Sequence, residues 1–328
     1  MNTKTRFGIA AALLLSSAAI APSASAQERL QMLIPFPPGH ALNASAERFA
    51  ANLEEATEGR FAVQLIGTEV VPGFEQFEPV SQGLFDMALQ SGAYHTGVTG
   101  VGLATDAIDA NPQARREAGV WDAYDEYYQR YNLKLISFPS ADNAYHIMLS
   151  EPIGEDGGLN GRIIRGTLTY HSIINTFGGS PVVMPVSEIY PSAERGVIDG
   201  AGHNAFGNIQ LGFHEVLPYL ARPSFGVTSK LIFMHNDRWN ALSEEDQAIF
   251  LEVGAALEDE MLEHFAGLTQ DETDRMEEAG ASITEFGPEQ AEQVPSVFAV
   301  GLWEEAIRLS GDDAAKIREM ARAAGLTQ

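Results

Sequence analysis

The sequence predicts an α/β protein built from two lobes, and two observations support that fold class. Residues 29–89 and residues 159–200 each alternate short apolar runs with helical segments in the order β-α-β-α-β, which is typical of a largely parallel sheet with helices on both faces. About 300 residues remain after a predicted leader over residues 1–26, and a chain of that length usually folds into two units rather than one.

The first 26 residues are typical of a cleavable signal peptide. Lys4 and Arg6 supply positive charge, residues 9–20 form an apolar run, and residues 24–26 form a small-residue cleavage site. This apolar run is too short to span a bilayer, and no later stretch is long and apolar enough to do so. We therefore expect an exported mature protein.

The composition argues against several classes of function. With 20 Lys and Arg against 45 Asp and Glu, the formal charge is −25, and loss of Lys4 and Arg6 with the leader makes it −27. Nucleic-acid binding is not expected, because neutralising phosphates requires clustered basic side chains. The chain has no cysteine, which excludes disulfides, thiol catalysis and cysteine-based metal sites. We expect no cofactor.

The strongest candidate for a binding group lies in residues 159–200. The predicted strand within GRIIRG ends in Arg165, at the carboxyl edge of the sheet, where α/β proteins bind ligands. A buried arginine needs an anionic partner, and its planar fork suits a carboxylate. That partner is either a ligand carboxylate or an internal Asp or Glu, and spacing alone favours the internal salt bridge.

The rest of this stretch predicts a helix over residues 171–177, a strand over 181–184, a helix over 188–195 and a strand over 197–199. Asp199, at the end of the last strand, is expected to be a turn or capping residue.

A second candidate region is the Gly- and Thr-rich loop that follows the predicted strand over residues 85–89. Its position at the carboxyl end of a strand favours ligand contact by Tyr94 and His95. Tyr94 could equally be a packed aromatic. The next segment, residues 106–131, is predicted to be helical with its aromatic residues in the core.

Two strands are predicted to connect the lobes, over residues 144–150 and 231–235. They divide the mature chain into discontinuous units: lobe one from residues 27–142 and 231–270, and lobe two from residues 143–230 and 271–328. A long helix is predicted from Ser243, which with Asp246 resembles a capping box, to about Glu278.

Four stretches resemble, in order and at close to the same spacing, the solute receptors of tripartite ATP-independent periplasmic (TRAP) transporters, the DctP-like binding proteins. They are ATEGRFAVQLIGTEVVPGFEQFEPVSQGLFDMAL, SEPIGEDGGLNGRIIRG, GGSPVVMPVSEIYPSAERGVIDG and NDRWNALSEEDQAIF. The resemblance implies a two-lobed periplasmic-binding-protein architecture with hinge strands and a long helix spanning both lobes. It also implies delivery of a ligand to membrane permease subunits driven by an ion gradient, without an ATPase.

The resemblance also implies roles for particular residues. The carboxylate-clamping arginine of the family corresponds to Arg165. Tyr145 stands where many members carry a second arginine, and this departure favours a ligand with one carboxylate and a neutral remainder. A polar residue after Asp199 helps hold the carboxylate in many relatives. His203 or Asn204 would match, and Asn204 is preferred because an amide both donates and accepts.

Two further implications concern the rest of the site. One branch of the family carries a Glu-Trp pair that helps hold a cation, where this chain reads Gly202-His203, so no bound metal is expected. Tyr94, Tyr145 and Tyr170 would shape the remainder of the cleft.

The leading hypothesis is a non-enzymatic, periplasmic receptor for a small organic acid. The alternatives are a secreted enzyme that acts on an organic acid in a similar cleft and a scaffold protein without a small ligand. No HExxH, GxSxG or nucleotide-binding glycine motif occurs in the chain.

Overall fold

The structure, a computed structural model, describes residues 27–328, and the predicted signal peptide over residues 1–26 lies outside this range. The strands of the described residues are β1 (Glu28–Leu33), β2 (Phe61–Ile66), β3 (Met87–Gln90), β4 (Leu133–Ser137), β5 (Ser140–Ala141), β6 (Tyr145–Leu149), β7 (Ile163–Arg165), β8 (Ser180–Val182), β9 (Gly200–Asn204), β10 (Tyr219–Arg222), β11 (Thr228–Ser229), β12 (Leu231–His235) and β13 (Ser282–Glu285).

The helices cover the faces of the sheets. They are α1 (Ala44–Ala56), α2 (Phe77–Ser81), α3 (Pro112–Glu117), α4 (Val120–Gln129), α5 (Leu168–Thr176), α6 (Ile189–Glu194), α7 (Phe213–Val216), α8 (Asn236–Asn240), α9 (Glu244–Glu278), α10 (Pro288–Ser310) and α11 (Asp312–Ala323).

Each lobe is built on one mixed sheet. The first sheet has the order β2-β1-β3-β12-β4 and the second the order β13-β10-β6-β9-β7-β8. The β-α-β units form the parallel parts, β2-β1-β3 and β9-β7-β8. Strands β12 and β6 run antiparallel to their neighbours because they carry the chain between the sheets. Strands β10 and β13 are also parallel, so the expectation of largely parallel sheets is correct for these parts and not for the pairs that involve β12 or β6.

The chain passes between the lobes at two adjacent places. The short strands β5 and β11 pair antiparallel, with Thr228 opposite Ala141 and Ser229 opposite Ser140. Strand β6 then enters the second sheet and β12 returns to the first, so the connecting segments were correctly predicted. The exact lobe boundaries stay a prediction.

Helix α9 spans both lobes, as the family resemblance implied. Its first half packs against α1 and β4 of the first lobe. Near its other end, the Glu272 carboxylate accepts hydrogen bonds from the backbone N–H groups of Asn208 and Ile209. Helix α10 also touches both lobes, since it packs against α5 and against residues 101–107.

Two predicted elements are wrong in detail. The strand expected over residues 197–199 lies instead at β9, because Asp199 holds a turn: its Oδ2 accepts a hydrogen bond from the Ile163 backbone N–H at 2.7 Å. The single helix expected over residues 106–131 is divided into α3 and α4. It is interrupted at Gly119, whose φ of +71° is left-handed and favours glycine. The aromatic residues of α4 are buried in the core as expected.

Replacing Ser243 by alanine is expected to lower the free energy of unfolding by about 1 kcal/mol. Ser243 Oγ accepts a hydrogen bond from the Asp246 N–H at 3.1 Å and donates one to Asp246 Oδ2 at 2.7 Å, so the substitution leaves a first-turn N–H of α9 without its acceptor. Urea unfolding would measure the change. Ser296→Ala, at an exposed position in α10, is the matched control, and equal losses in the two variants would contradict the capping role.

Candidate ligand-binding site between the two lobes

A small cavity lies in the cleft between the two sheets. Its volume is about 30 Å³, and both lobes line it. The first lobe contributes Phe36, His40 and Tyr94, and the second contributes Tyr145, Arg165, Tyr170, His203 and Asn204. Lys230 also lines the cavity and directly precedes β12, where the chain returns to the first lobe. The six residues singled out from the sequence are thus brought together around one cavity, although their binding roles stay a prediction.

Arg165 is the buried cation of the second lobe. It ends β7, and its side chain is 2% exposed. Its Nε donates to the Met184 carbonyl at 3.0 Å and its Nη1 donates to the Gly202 carbonyl at 2.9 Å. Nη2 is buried without a hydrogen-bond partner among the described residues. No Asp or Glu of residues 27–328 forms a salt bridge with Arg165, so the internal salt bridge favoured by spacing is not present.

Asn204 and His203 close β9 beside this arginine, both less than a tenth exposed. The side-chain Nδ2 of Asn204 is also buried without an acceptor in the described part of the chain. Asn204 therefore adds a second unsatisfied donor to the cavity. Gly202 precedes them, and a Cβ there would lie 2.4 Å from the ring of Tyr170, so the packing of Tyr170 explains why this position has no side chain.

His203 also forms a direct side-chain contact with the first lobe. Its Nε2 lies 3.3 Å from Nε2 of His40, which belongs to the loop after β1. His40 Nδ1 accepts a hydrogen bond from the Leu42 N–H, so a neutral His40 carries its proton on Nε2 and donates to His203. His203 Nδ1 lies 2.8 Å from Asn208 Oδ1 and donates to it. Every ring nitrogen of the two histidines is thus used when both are neutral.

The surroundings of these histidines favour the neutral form. Burial lowers the pKa of His203 to about 3, and the positive charge of Arg165 acts in the same direction. The pKa of His40 lies well below its ordinary value, first because of burial and then because of His203, Lys230 and Arg165.

Tyr145 lines the cavity with its ring, but its hydroxyl is engaged elsewhere. The hydroxyl donates to Asp106 Oδ2 at 2.7 Å and lies 2.9 Å from Thr228 Oγ1. Burial, followed by the charge of Asp106, raises the pKa of Tyr145 well above its ordinary value. Tyr145 therefore joins strand β6 to the connection between the lobes.

The other two tyrosines form aromatic walls. The ring of Tyr170 packs edge-on against Tyr145 with centroids 5.2 Å apart. Tyr94 is half-buried and contacts Phe74 with centroids 4.3 Å apart. Burial raises the pKa of the Tyr94 hydroxyl, and the nearby Arg165 partly offsets this. The neighbouring His95 does not line the cavity, since its Nε2 bonds to the Tyr128 hydroxyl at 2.7 Å.

Among the ionisable residues that line the cavity, sequence reasoning missed His40 and Lys230. Lys230 is 2% exposed, and its Nζ donates to Thr228 Oγ1 at 2.7 Å and to the Ser229 carbonyl at 2.8 Å. Burial lowers the pKa of Lys230 to about 8, while Asp106 acts in the opposite direction. Their positions in the sequence could have identified both residues. His40 lies in the loop after the first strand, and Lys230 is a charged residue directly before an apolar strand.

Two further findings bear on the chemistry of the site. Across residues 27–328, no group of His, Asp or Glu side chains is arranged to hold a metal ion. Over the same residues, no helix combines the length and apolar character needed to cross a membrane.

A cleft between two lobes, lined by buried cations and unsatisfied donors, is the arrangement of a cleft-type solute-binding protein. The chain belongs to the DctP family, bacterial extracellular solute-binding protein family 7, which it matches over residues 35–306. Proteins of this family are extracytoplasmic receptors that bind small molecules and work with membrane permease components.

The names of relatives in this family refer to different ligands. The chain is 27% identical over 167 residues to the ectoine-binding periplasmic protein TeaA of Halomonas elongata, covering 50% of this chain and 48% of TeaA. It is 23% identical over 274 residues to a monocarboxylate 2-oxoacid-binding periplasmic protein of Nostoc sp., covering 80% of this chain and 74% of that protein. The match to TeaA thus spans about half of that relative.

Solved structures show the same two-lobed fold. DctP7 of Bordetella pertussis, a receptor binding pyroglutamic acid, superposes with a TM-score of 0.78 at 15% identity, covering 90% of this chain and 99% of that one. TeaA of Halomonas elongata also superposes with a TM-score of 0.78, at 20% identity and with coverage of 90% and 99%.

Proposed function

We propose that this protein captures a small organic acid in the cleft, with the ligand carboxylate held by Arg165, and delivers it to a TRAP-type membrane permease. The observation that carries this proposal is that Arg165 Nη2 and Asn204 Nδ2 are buried at one cavity without acceptors in the described residues. Buried polar groups are nearly always hydrogen-bonded, and a carboxylate supplies oxygen acceptors for both.

The geometry of Arg165 supports a ligand rather than a structural role. The carbonyls of Met184 and Gly202 fix the guanidinium plane but carry no net charge. A buried cation with only neutral partners is costly, and an anionic ligand removes that cost. Charge-assisted hydrogen bonds to a carboxylate are also stronger than neutral ones.

The proposal includes a cellular location, the periplasm, and a protein partner, the membrane permease. The protein acts in the periplasm after cleavage of residues 1–26, uses no ATPase and no cofactor, and binds no nucleic acid. It is not an enzyme: the ligand leaves the cleft unchanged and passes to the permease. The names of TeaA and DctP7 connect related receptors with ectoine and pyroglutamic acid, and these support a small organic compound as the ligand.

A thermal-shift screen of the protein from Gln27 onward against small carboxylic acids tests the proposal. An acid at a hundred times its dissociation constant should stabilise the protein by about 2.7 kcal/mol, which corresponds to a rise in melting temperature of a few degrees.

The stabilising acid should be recovered unchanged after prolonged incubation with the protein. Its conversion to a product would support the secreted enzyme instead. A folded protein that no carboxylic acid stabilises would contradict the proposed receptor function.

A further inference from the structure

A second chamber adjoins the cavity at Arg165. We call the cavity at Arg165 the inner chamber and the second one the outer chamber. The outer chamber also lies between the lobes, has a volume of about 170 Å³, and shares Tyr94 and Val186 with the inner one. Thr68 and Phe74 line it from the first lobe, and Ser187 from the second.

The two chambers differ in size. About 30 Å³ gives the inner chamber room for roughly two water molecules, which is also the room for the two oxygens of one carboxylate. About 170 Å³ in the outer chamber is enough for a small ring or a short alkyl chain, since a dry cavity of about 150 Å³ accommodates benzene. A carboxylate on Arg165 would thus have its remaining atoms beyond Tyr94.

The two chambers also differ in charge. The inner chamber is lined by the cations Arg165 and Lys230, and Asp106 lies behind Lys230, where its Oδ1 accepts from the Ser229 N–H at 2.8 Å. When both histidines are neutral, the charges of Arg165, Lys230 and Asp106 add to a net charge of +1. This net charge is balanced by the single negative charge of one carboxylate. No residue lining the outer chamber is charged; four are prolines, and its hydroxyls belong to Thr68, Ser187 and Tyr94.

We propose that the ligand is a monocarboxylate whose uncharged, largely apolar body passes Tyr94 into the outer chamber. This inference rests on the proposed function and adds the ligand class to it. A second charge on the ligand would lie among prolines and Phe74 without a counter-ion, which is unfavourable. Tyr94 is positioned to pack on the body of the ligand, because its own ring is held by Phe74 and by Phe36.

Calorimetric titration of matched acids tests the inference. The probes are hexanoate, benzoate and cyclohexanecarboxylate as monocarboxylates, with adipate, terephthalate and 6-aminohexanoate as partners that carry a second charge. We expect at least one monocarboxylate to bind about tenfold or more tightly than its charged partner, since tenfold is the effect of about 1.4 kcal/mol.

A charge introduced into the outer chamber should change this preference. Ser187 is exposed at the chamber wall, so Ser187→Arg is compatible with folding. This variant should bind adipate or terephthalate about tenfold more tightly than the wild type does. Ser187→Gln, which adds bulk without charge, is the matched control and should not bind these dicarboxylates more tightly than the wild type does.

Each outcome separates the inference from the proposed function. Wild-type protein that prefers a dicarboxylate or 6-aminohexanoate would overturn the inference and leave a carboxylate receptor intact. If no probe binds but another acid stabilises the wild type and not Arg165→Ala, the inference fails and the receptor function stands. An Arg165-independent ligand would overturn both. An unchanged preference in Ser187→Arg would remove the outer chamber from the binding site.

Discussion

Replacing Arg165 by alanine is expected to weaken binding of the ligand acid by about 100-fold or more. Removing one partner of a buried, hydrogen-bonded charge pair typically costs about 2–5 kcal/mol, and 2.7 kcal/mol is about 100-fold. The truncation leaves the carboxylate without its cation and the carbonyls of Met184 and Gly202 without their donor. Calorimetry with the acid found in the thermal-shift screen measures the change.

The chain contains a matched control for this experiment. Arg162 lies three residues earlier in the same segment, and its guanidinium donates to the carbonyls of Glu151 and Pro152 away from the cleft. Arg162→Ala should therefore bind the acid like the wild type. Arg165→Lys keeps the charge but loses the planar fork, and we expect it to recover only part of the affinity. Equal binding by Arg165→Ala and wild type would exclude Arg165 from the site.

Acidification is expected to weaken ligand binding through the contact between His40 and His203. The two rings lie 3.3 Å apart and use all their nitrogens when neutral, so an added proton breaks one hydrogen bond and places a further cation near Arg165 and Lys230. We expect the lobes to be separated in the form that admits the ligand and in contact once the ligand is bound. Separation exposes both rings to water, where the pKa of histidine is about 6.5.

The direction of the effect follows from linkage. The pKa of His203 is about 3 with the lobes in contact and higher when they separate, so the separated form binds more protons and is favoured as the pH falls below about 6.5. Between pH 7.5 and pH 5.5, affinity should fall about tenfold for each histidine that becomes exposed, or about 100-fold for both. Above pH 7.5 the histidine contribution should be fully present.

Calorimetry over this pH range measures the effect, since a carboxylic acid ligand stays largely ionised there. His203→Gln should flatten the profile. His264→Gln is the matched control, because His264 lies on α9 beside Arg48 and outside the cleft. A wild-type affinity that is constant, or that rises towards pH 5.5, would contradict the role of the histidine pair.

Part of this site was accessible from the sequence. The strand–helix alternation around Arg165 located a charged residue at the carboxyl edge of a sheet, and the family resemblance added Tyr145, His203 and Asn204 as candidates. Asn204 could be placed because it follows Asp199 at short range.

Other features of the site depend on strand direction and could not be predicted from the sequence. Lys230 directly precedes β12. Because β12 runs antiparallel to β3, with Leu231 opposite Gln90, the start of β12 lies at the edge where β3 ends. Tyr145 is brought beside Asn204 in the same way, by the antiparallel pairing of β6 with β9. Neither direction can be read from a local hydrophobic pattern, since apolar strands look alike in both senses.

The sequence by itself determined the elements that local forces specify: the alternating strands and helices, the Ser243 cap of α9, and an arginine at a strand end that requires an anion. Only the tertiary structure excluded an internal carboxylate as the partner of Arg165. None of the 45 acidic residues forms a salt bridge with Arg165 within the described chain. The tertiary structure also brought His40 to His203, which are 163 residues apart. Such contacts depend on how the two sheets face each other. They cannot be predicted from the local sequence around either residue, because neither local pattern depends on the distant partner.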